Sequence, residues 1–161
     1  MKIVFLGIGS NLGDRQNNLV QACVKIEELV GHVLAYSSTY ETEPWGFQSR
    51  DKFLNTVVKI ETDLTPSEVL EQTLKIESFL GRIRGEERYS SRLIDIDILL
   101  FDDMIIDEEN LKIPHALMQN RRFVLVPLCE IAAEVIHPVL GKRLDELLEI
   151  CKDNGLVKKY K

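Results

Sequence analysis

Positive charge is not in surplus in this 161-residue chain: 20 Lys and Arg stand against 26 Asp and Glu, a formal charge of −6. That balance excludes a general nucleic-acid binder unless the cations are gathered in one place. Cysteine is scarce too. Cys23, Cys129 and Cys151 are odd in number, lack metal-type spacing and sit among Leu, Ile, Val or Ala, as buried thiols of a reducing compartment do. Long apolar runs are missing. The longest near the N-terminus, Ile3 to Ile8, is far too short to cross a bilayer and has no cleavage site, so a cytoplasmic protein without a membrane role is expected. No internal repeat and no Pro/Gly/Ser-rich linker divides the chain, and a single domain over 1–161 is expected. The remainder is 45% hydrophobic and 29% charged, a globular mixture that excludes low-complexity disorder.

Two common nucleotide signatures are also lacking. Gly7-Ile8-Gly9 follows an apolar stretch, but the next glycine, Gly13, comes one residue too late for the dinucleotide fingerprint. The acid that should end a second strand is absent as well, since Glu27 and Glu28 fall inside a helical pattern. There is no Walker lysine motif, which excludes a P-loop kinase.

Periodicity supplies the fold class. Lys2 to Gly9 reads as a buried strand, and Leu19, Cys23, Ile26 and Val30 form a helical stripe from about Asp14 that Gly31 ends. His32 to Thr39 and Phe53 to Thr62 read as strands around a loop at Pro44-Trp45-Gly46. Thr65-Pro66-Ser67-Glu68 is a capping box with proline in the first turn, opening a helix that should reach Leu80 and stop at Gly81. After a polar loop, Arg92 to Phe101 reads as a strand; two helices follow, the second striped by Leu144, Leu147, Leu148 and Cys151. This βαββαβ order predicts an α+β, ferredoxin-like core: a largely antiparallel sheet with helices packed on it and extra C-terminal helices. The sheet's other face then needs cover or a ligand.

The chemistry concentrates in the last strand. Asp95 and Asp97 alternate and share one face with Cα atoms roughly 6–7 Å apart, while Ile94, Ile96, Ile98 and Leu100 should face a core. Two carboxylates about 5 Å apart repel by roughly 3 kcal/mol at an effective dielectric near 20. A bound cation removes that penalty, and Mg²⁺ favours paired hard oxygens together with phosphates. Spacing alone leaves open a solvated face with two unrelated acids.

Arg82, Arg84, Arg88 and Arg92 crowd the preceding loop, and Arg121 and Arg122 follow later. A charge run is usually a solvated loop. Beside paired acids, guanidinium forks become a candidate polyphosphate clamp. Glu77 lies on the stripe of Leu70, Thr73 and Leu80, where a carboxylate needs a cation such as a nearby arginine or is a structural ion pair. His115 could donate to phosphate or cap a turn. Phe53, Asn55 and Val57 share a strand face, an aromatic beside an amide that can stack on and hydrogen-bond a heterocycle, with Trp45 and Phe123 as further walls or as core.

Seven segments in order carry a family resemblance: Gly9-Ser10-Asn11-Leu12-Gly13-Asp14, Glu41-Thr42-Glu43-Pro44-Trp45-Gly46, Phe53-Leu54-Asn55, Gly81-Arg82-Ile83-Arg84, Arg92-Leu93-Ile94-Asp95-Ile96-Asp97, Pro114-His115 and Asn120-Arg121-Arg122-Phe123. Together they resemble the 6-hydroxymethyl-7,8-dihydropterin pyrophosphokinases of folate biosynthesis, across essentially the whole chain. The resemblance implies transfer of pyrophosphate from ATP to the pterin hydroxymethyl group with release of AMP, by a monomer. It implies two Mg²⁺ ions on Asp95 and Asp97, with Arg82 and Arg92 catalytic. Glu77, Arg84, Ile98, His115 and Arg121 would serve the nucleotide. Thr42, Pro44, Trp45, Phe53, Asn55, Tyr89 and Phe123 would serve the pterin. Departures fall in one loop: Tyr89-Ser90-Ser91 stand where the family often has Trp-Gly-Pro, and Gly85 where a basic residue is common. Ala116 lacks a side chain that some relatives place near the nucleotide.

Rival readings carry less. Another Asp-x-Asp transferase would not need the aromatic and amide walls. An RNA-binding module of this fold wants cations and aromatics at the sheet centre, where Asp95 and Asp97 would repel phosphate. A small-ligand regulatory module would bind nucleotide without Mg²⁺.

Overall fold

The apolar stretch Lys2–Ser10 becomes strand β1, and the capped stripe behind it becomes helix α1 (Arg15–Leu29), whose N-cap Asp14 accepts a hydrogen bond from the Asn17 N–H. Strands β2 (His32–Tyr36), β3 (Tyr40–Thr42) and β4 (Phe53–Thr62) follow. Helix α2 (Pro66–Phe79) opens on the expected capping box, in which Thr65 Oγ1 accepts from Glu68 N and Glu68 Oε1 accepts from Thr65 N. It ends at Gly81, whose φ of 100° only glycine adopts without strain. Strand β5 (Asp95–Phe101), the hairpin β6 (Ile106–Glu108) and β7 (Leu111–Ile113), helices α3 (Arg122–Ala132) and α4 (Leu144–Ile150), and strand β8 (Val157–Lys159) complete the order. The computed structural model describes residues 1–44, 51–81 and 93–160.

The main sheet has six strands in the order β5-β1-β4-β3-β8, with β2 also on β4, and every pairing is antiparallel. This is the ferredoxin-like arrangement with a short extra strand inserted. The stretch expected as one strand from His32 to Thr39 breaks instead at Ser37. There the Ser37 hydroxyl accepts the Val57 N–H at 2.9 Å, and pairing resumes at Tyr40. Strands β2 and β3 therefore share one edge of β4.

Two cores lie on opposite faces. Helices α1 and α2 bury Leu19, Ala22, Ile26, Val69 and Ile76 against Val4, Leu6, Ile8, Leu54, Val58, Ile60, Ile96 and Ile98. Helices α3 and α4 cover part of the other face, where Val124, Leu125, Leu128, Leu144 and Leu147 meet Phe5, Val57, Leu99 and Leu100. Leu100 was expected beside Ile94, Ile96 and Ile98. A register shift between Phe5 and Leu6 places Leu99 as an extra residue, so alternation reverses and Leu100 joins the opposite core. The strand also begins at Asp95, with Leu93 and Ile94 outside it; Arg92 lies outside the described residues. The uncovered half of the second face is where ligand space remains.

Candidate active site

Antiparallel register builds the site one row at a time. Asp95 pairs with Gly9, Gly9 with Asn55, and Asn55 with Tyr40; the next row sets Asp97 against Gly7 and Gly7 against Val57. Directly opposed residues share a face. The two acids and the amide therefore look onto the same side of the sheet, with glycine floor between them. A cleft of about 180 Å³ opens there, lined by Gly7, Gly9, Thr42, Phe53, Asn55 and Asp95, and further by Asp97, His115, Arg121 and Phe123.

Each polar wall has a fixed orientation. Asn55 Nδ2 donates to Thr42 Oγ1 at 2.6 Å, which turns the amide so that Oδ1 stands over Gly9. A Cβ at Gly9 would lie 2.7 Å from that oxygen. His115 donates its backbone N–H to the Leu99 carbonyl at 3.0 Å, and its Nδ1 accepts from Leu117 N at 3.2 Å. In the neutral ring that contact leaves the proton on Nε2, which faces Asp97 Oδ2 at 4.0 Å. Arg121 caps α3, with its guanidinium 5.7 Å from the centre of the Phe123 ring. Acids, a ring N–H, a guanidinium, an amide and two aromatics thus share one cleft.

Residues 5–133 match the family model for 7,8-dihydro-6-hydroxymethylpterin-pyrophosphokinase (HPPK). The chain belongs to the HPPK family. It is 42% identical to the 2-amino-4-hydroxy-6-hydroxymethyldihydropteridine pyrophosphokinase of Aquifex aeolicus over 91% of this chain and 90% of that one. To the Bacillus subtilis protein of the same name it is 45% identical, over 89% of this chain and 86% of that one. Among solved structures, wild-type Plasmodium falciparum HPPK-DHPS with pterin and p-hydroxybenzoate matches 92% of this chain with a TM-score of 0.72. At 18% identity that likeness shows the fold, and this chain spans 41% of that longer protein.

Of the residues singled out in this HPPK-family chain, Thr42, Phe53, Asn55, Asp95, Asp97, His115, Arg121 and Phe123 meet in the cleft. Glu77 does not line it. Its carboxylate is buried on the α2 side of the sheet, where Oε2 accepts the Ile96 N–H at 2.8 Å, the backbone link between the two acids. Ile98 likewise points into the α1/α2 core, so contact with a nucleotide would fall to its backbone. Pro44 is half-buried and outside the lining. Trp45, Arg82, Arg84, Tyr89 and Arg92 lie outside the described residues.

The donor set suits Mg²⁺. Among the described residues no group of three or more His, Cys, Asp or Glu could hold a metal. A cation on Asp95 and Asp97 would therefore complete its shell with water and phosphate oxygens, as Mg²⁺ does. Gly7 and Gly9 were not among the expected site residues: both entered the dinucleotide comparison, and Gly9 also opens the first family segment, but neither had been given a place in the site. Their spacing of two within a strand, facing alternate acids, was the available signal.

Proposed function

We propose that this HPPK-family chain transfers the terminal pyrophosphoryl group of ATP to the hydroxymethyl oxygen of 6-hydroxymethyl-7,8-dihydropterin, in folate biosynthesis. The reading rests above all on one observation: an acid pair and an oriented amide that face one cleft across the glycine floor of Gly7 and Gly9. The hydroxymethyl oxygen attacks the β-phosphorus. The bond from that phosphorus to the oxygen bridging the α-phosphate breaks, AMP departs, and the hydroxyl proton passes to solvent.

Asp95 and Asp97 would hold two Mg²⁺ ions, which when bound would supply neutralisation of phosphate charge and a lower pKa for the attacking hydroxyl. The chain's own residues do the rest. Asn55 and Thr42 read the polar edge of the pterin, and Phe53 and Phe123 stack on it. The His115 Nε2–H and Arg121 donate to phosphate oxygens whose charge grows during transfer. Glu77 keeps the peptide between the two acids in place. Arg82 and Arg92 are assigned to the transferring group, Arg84 to the nucleotide, and Pro44, Trp45 and Tyr89 to covering the pterin. The protein is assigned as a cytoplasmic monomer; among the described residues no helix is long and apolar enough to cross a membrane.

Mass spectrometry of products from purified protein, ATP, Mg²⁺ and the pterin alcohol tests this. AMP appearing in step with a pterin diphosphate is the expected result. ADP with a pterin monophosphate would overturn the pyrophosphoryl step, and absence of turnover would overturn the assigned acceptor.

A further inference from the structure

Strand β3 supplies Thr42, yet it is three residues long. So short a strand has few ladder bonds to set its register. Side chains outside the cleft hold it instead, from both faces. On the cleft side of the sheet, Glu130 of α3 accepts from the Tyr40 hydroxyl at 2.7 Å and from the Ser38 N–H and hydroxyl at 3.0 and 2.9 Å. Burial, and then that carboxylate, push the Tyr40 phenol up to about 12, so it remains a donor. On the helix side, Arg15 at the start of α1 donates from Nη1 to Glu41 Oε2 at 3.0 Å and to the Lys52 carbonyl at 2.9 Å. Its guanidinium also lies 5.8 Å from the centre of the Tyr160 ring, next to β8.

The two partners of Arg15 are adjacent to two cleft residues. Glu41 precedes Thr42 and Lys52 precedes Phe53, and Thr42 and Phe53 are themselves paired across β3 and β4. One guanidinium thus fixes the approach of both strands at the point where they turn their side chains into the cleft. Asn11, buried a few residues earlier, adds a bond from Nδ2 to the Asp51 carbonyl at 3.1 Å. Arg15 itself does not line the cleft.

We propose that Arg15 is a positioning residue for pterin recognition, setting the register of Thr42 against Phe53 and, through the Thr42 hydroxyl, the orientation of the Asn55 amide. This rests on the pterin reading given above. Both bonds leave Nη1; lysine would keep the charge but place its donor one bond nearer the backbone, so it can reach the carboxylate and the carbonyl together less well.

Calorimetric titration separates this role from general stability. The pterin alcohol is titrated into protein saturated with a non-hydrolysable ATP analogue and Mg²⁺, and the analogue is titrated separately. Arg15→Gln should weaken pterin binding about tenfold, about 1.4 kcal/mol, with nucleotide affinity unchanged. Arg15→Lys should recover part of the loss, and Glu41→Gln, which leaves Arg15 its bond to the Lys52 carbonyl, should show a smaller loss of the same selectivity. Pterin affinity within about twofold of wild type in Arg15→Gln, or equal weakening of both ligands, would overturn the proposal. Wild-type protein that binds the nucleotide but not the pterin would overturn the functional reading, and this proposal with it.

Discussion

Asp97 and Gly9 show how differently two residues of one cleft disclose themselves. Asp97 announces its role by chemistry: a carboxylate on a strand, two residues from another, flanked by isoleucines that turn to the opposite core. Under the proposed mechanism, replacing it removes a carboxylate that would hold the cation facing the phosphates, without removing core volume. Asp97→Ala should lower kcat by about 10²–10³-fold, while the thermal midpoint stays at or above that of wild type; turnover near normal would remove the metal assignment. Gly9 opens a family segment but shows no physical reason there, because that reason is a neighbour 46 residues away in sequence, the Asn55 oxygen that a Cβ would meet at 2.7 Å. Gly9→Ala should tilt that amide and raise the pterin KM by about tenfold with kcat less affected. A KM unchanged in steady-state assays would mean that the amide yields without loss of recognition. The same distinction explains Arg15 and Glu130. Neither was singled out in sequence, and only the folded register places them beside the strand that carries Thr42.

At the level of elements, the helix caps and the βαββαβ order were legible because they are local: Thr65 with Glu68, Pro66 in the first turn, Gly81 at the stop. The break at Ser37 and the bulge at Leu99 were not, since each arises from a partner strand rather than from the residues themselves. Gly31 falls between these cases. It marks the end of α1 as its position suggested, but its φ is not among the positive ones of Gly13, Gly81 and Gly141. What requires glycine is the approach of β4: a Cβ at position 31 would sit 2.3 Å from the Glu61 carbonyl oxygen and 2.9 Å from Thr62 Cβ. Backbone cannot swing aside as a side chain can. Gly31→Ala should therefore destabilise the fold by about 1–3 kcal/mol through overpacking, read as a lower urea midpoint with an unchanged slope. An unshifted midpoint would show that the α1–β2 junction has room the register does not suggest.

For the molecule as a whole, acid sensitivity is expected at two groups of α3 and the turn that follows it, His137 and Glu130. His137 sits in the turn between α3 and α4, buried, with its backbone N–H on the Lys142 carbonyl at 2.8 Å. Its Nδ1 accepts from the backbone N–H groups of Val139 and Leu140 at 3.2 and 3.1 Å. An imidazolium has no lone pair there, so protonation sets three donors against one another. Burial accordingly lowers its pKa below the ordinary 6.5. The unfolded chain then takes up this proton more readily than the folded one, so the stability tied to His137 is complete above about pH 6.5 and is lost as pH falls from there toward the folded pKa. Glu130 acts lower on the scale. Burial pushes its carboxyl up, but the Tyr40 and Ser38 donors outweigh that and hold it below 4.5, so its contribution persists until pH drops beneath that value. The His137 window can be read on its own above pH 5.5, before Glu130 begins to titrate. Wild-type urea midpoints should be level from pH 8 to 7 and decline toward pH 5.5; His137→Gln should begin lower, having lost the turn's acceptor geometry, and show a flatter profile over the same interval. Parallel profiles for the two proteins would place the acid sensitivity elsewhere in the fold.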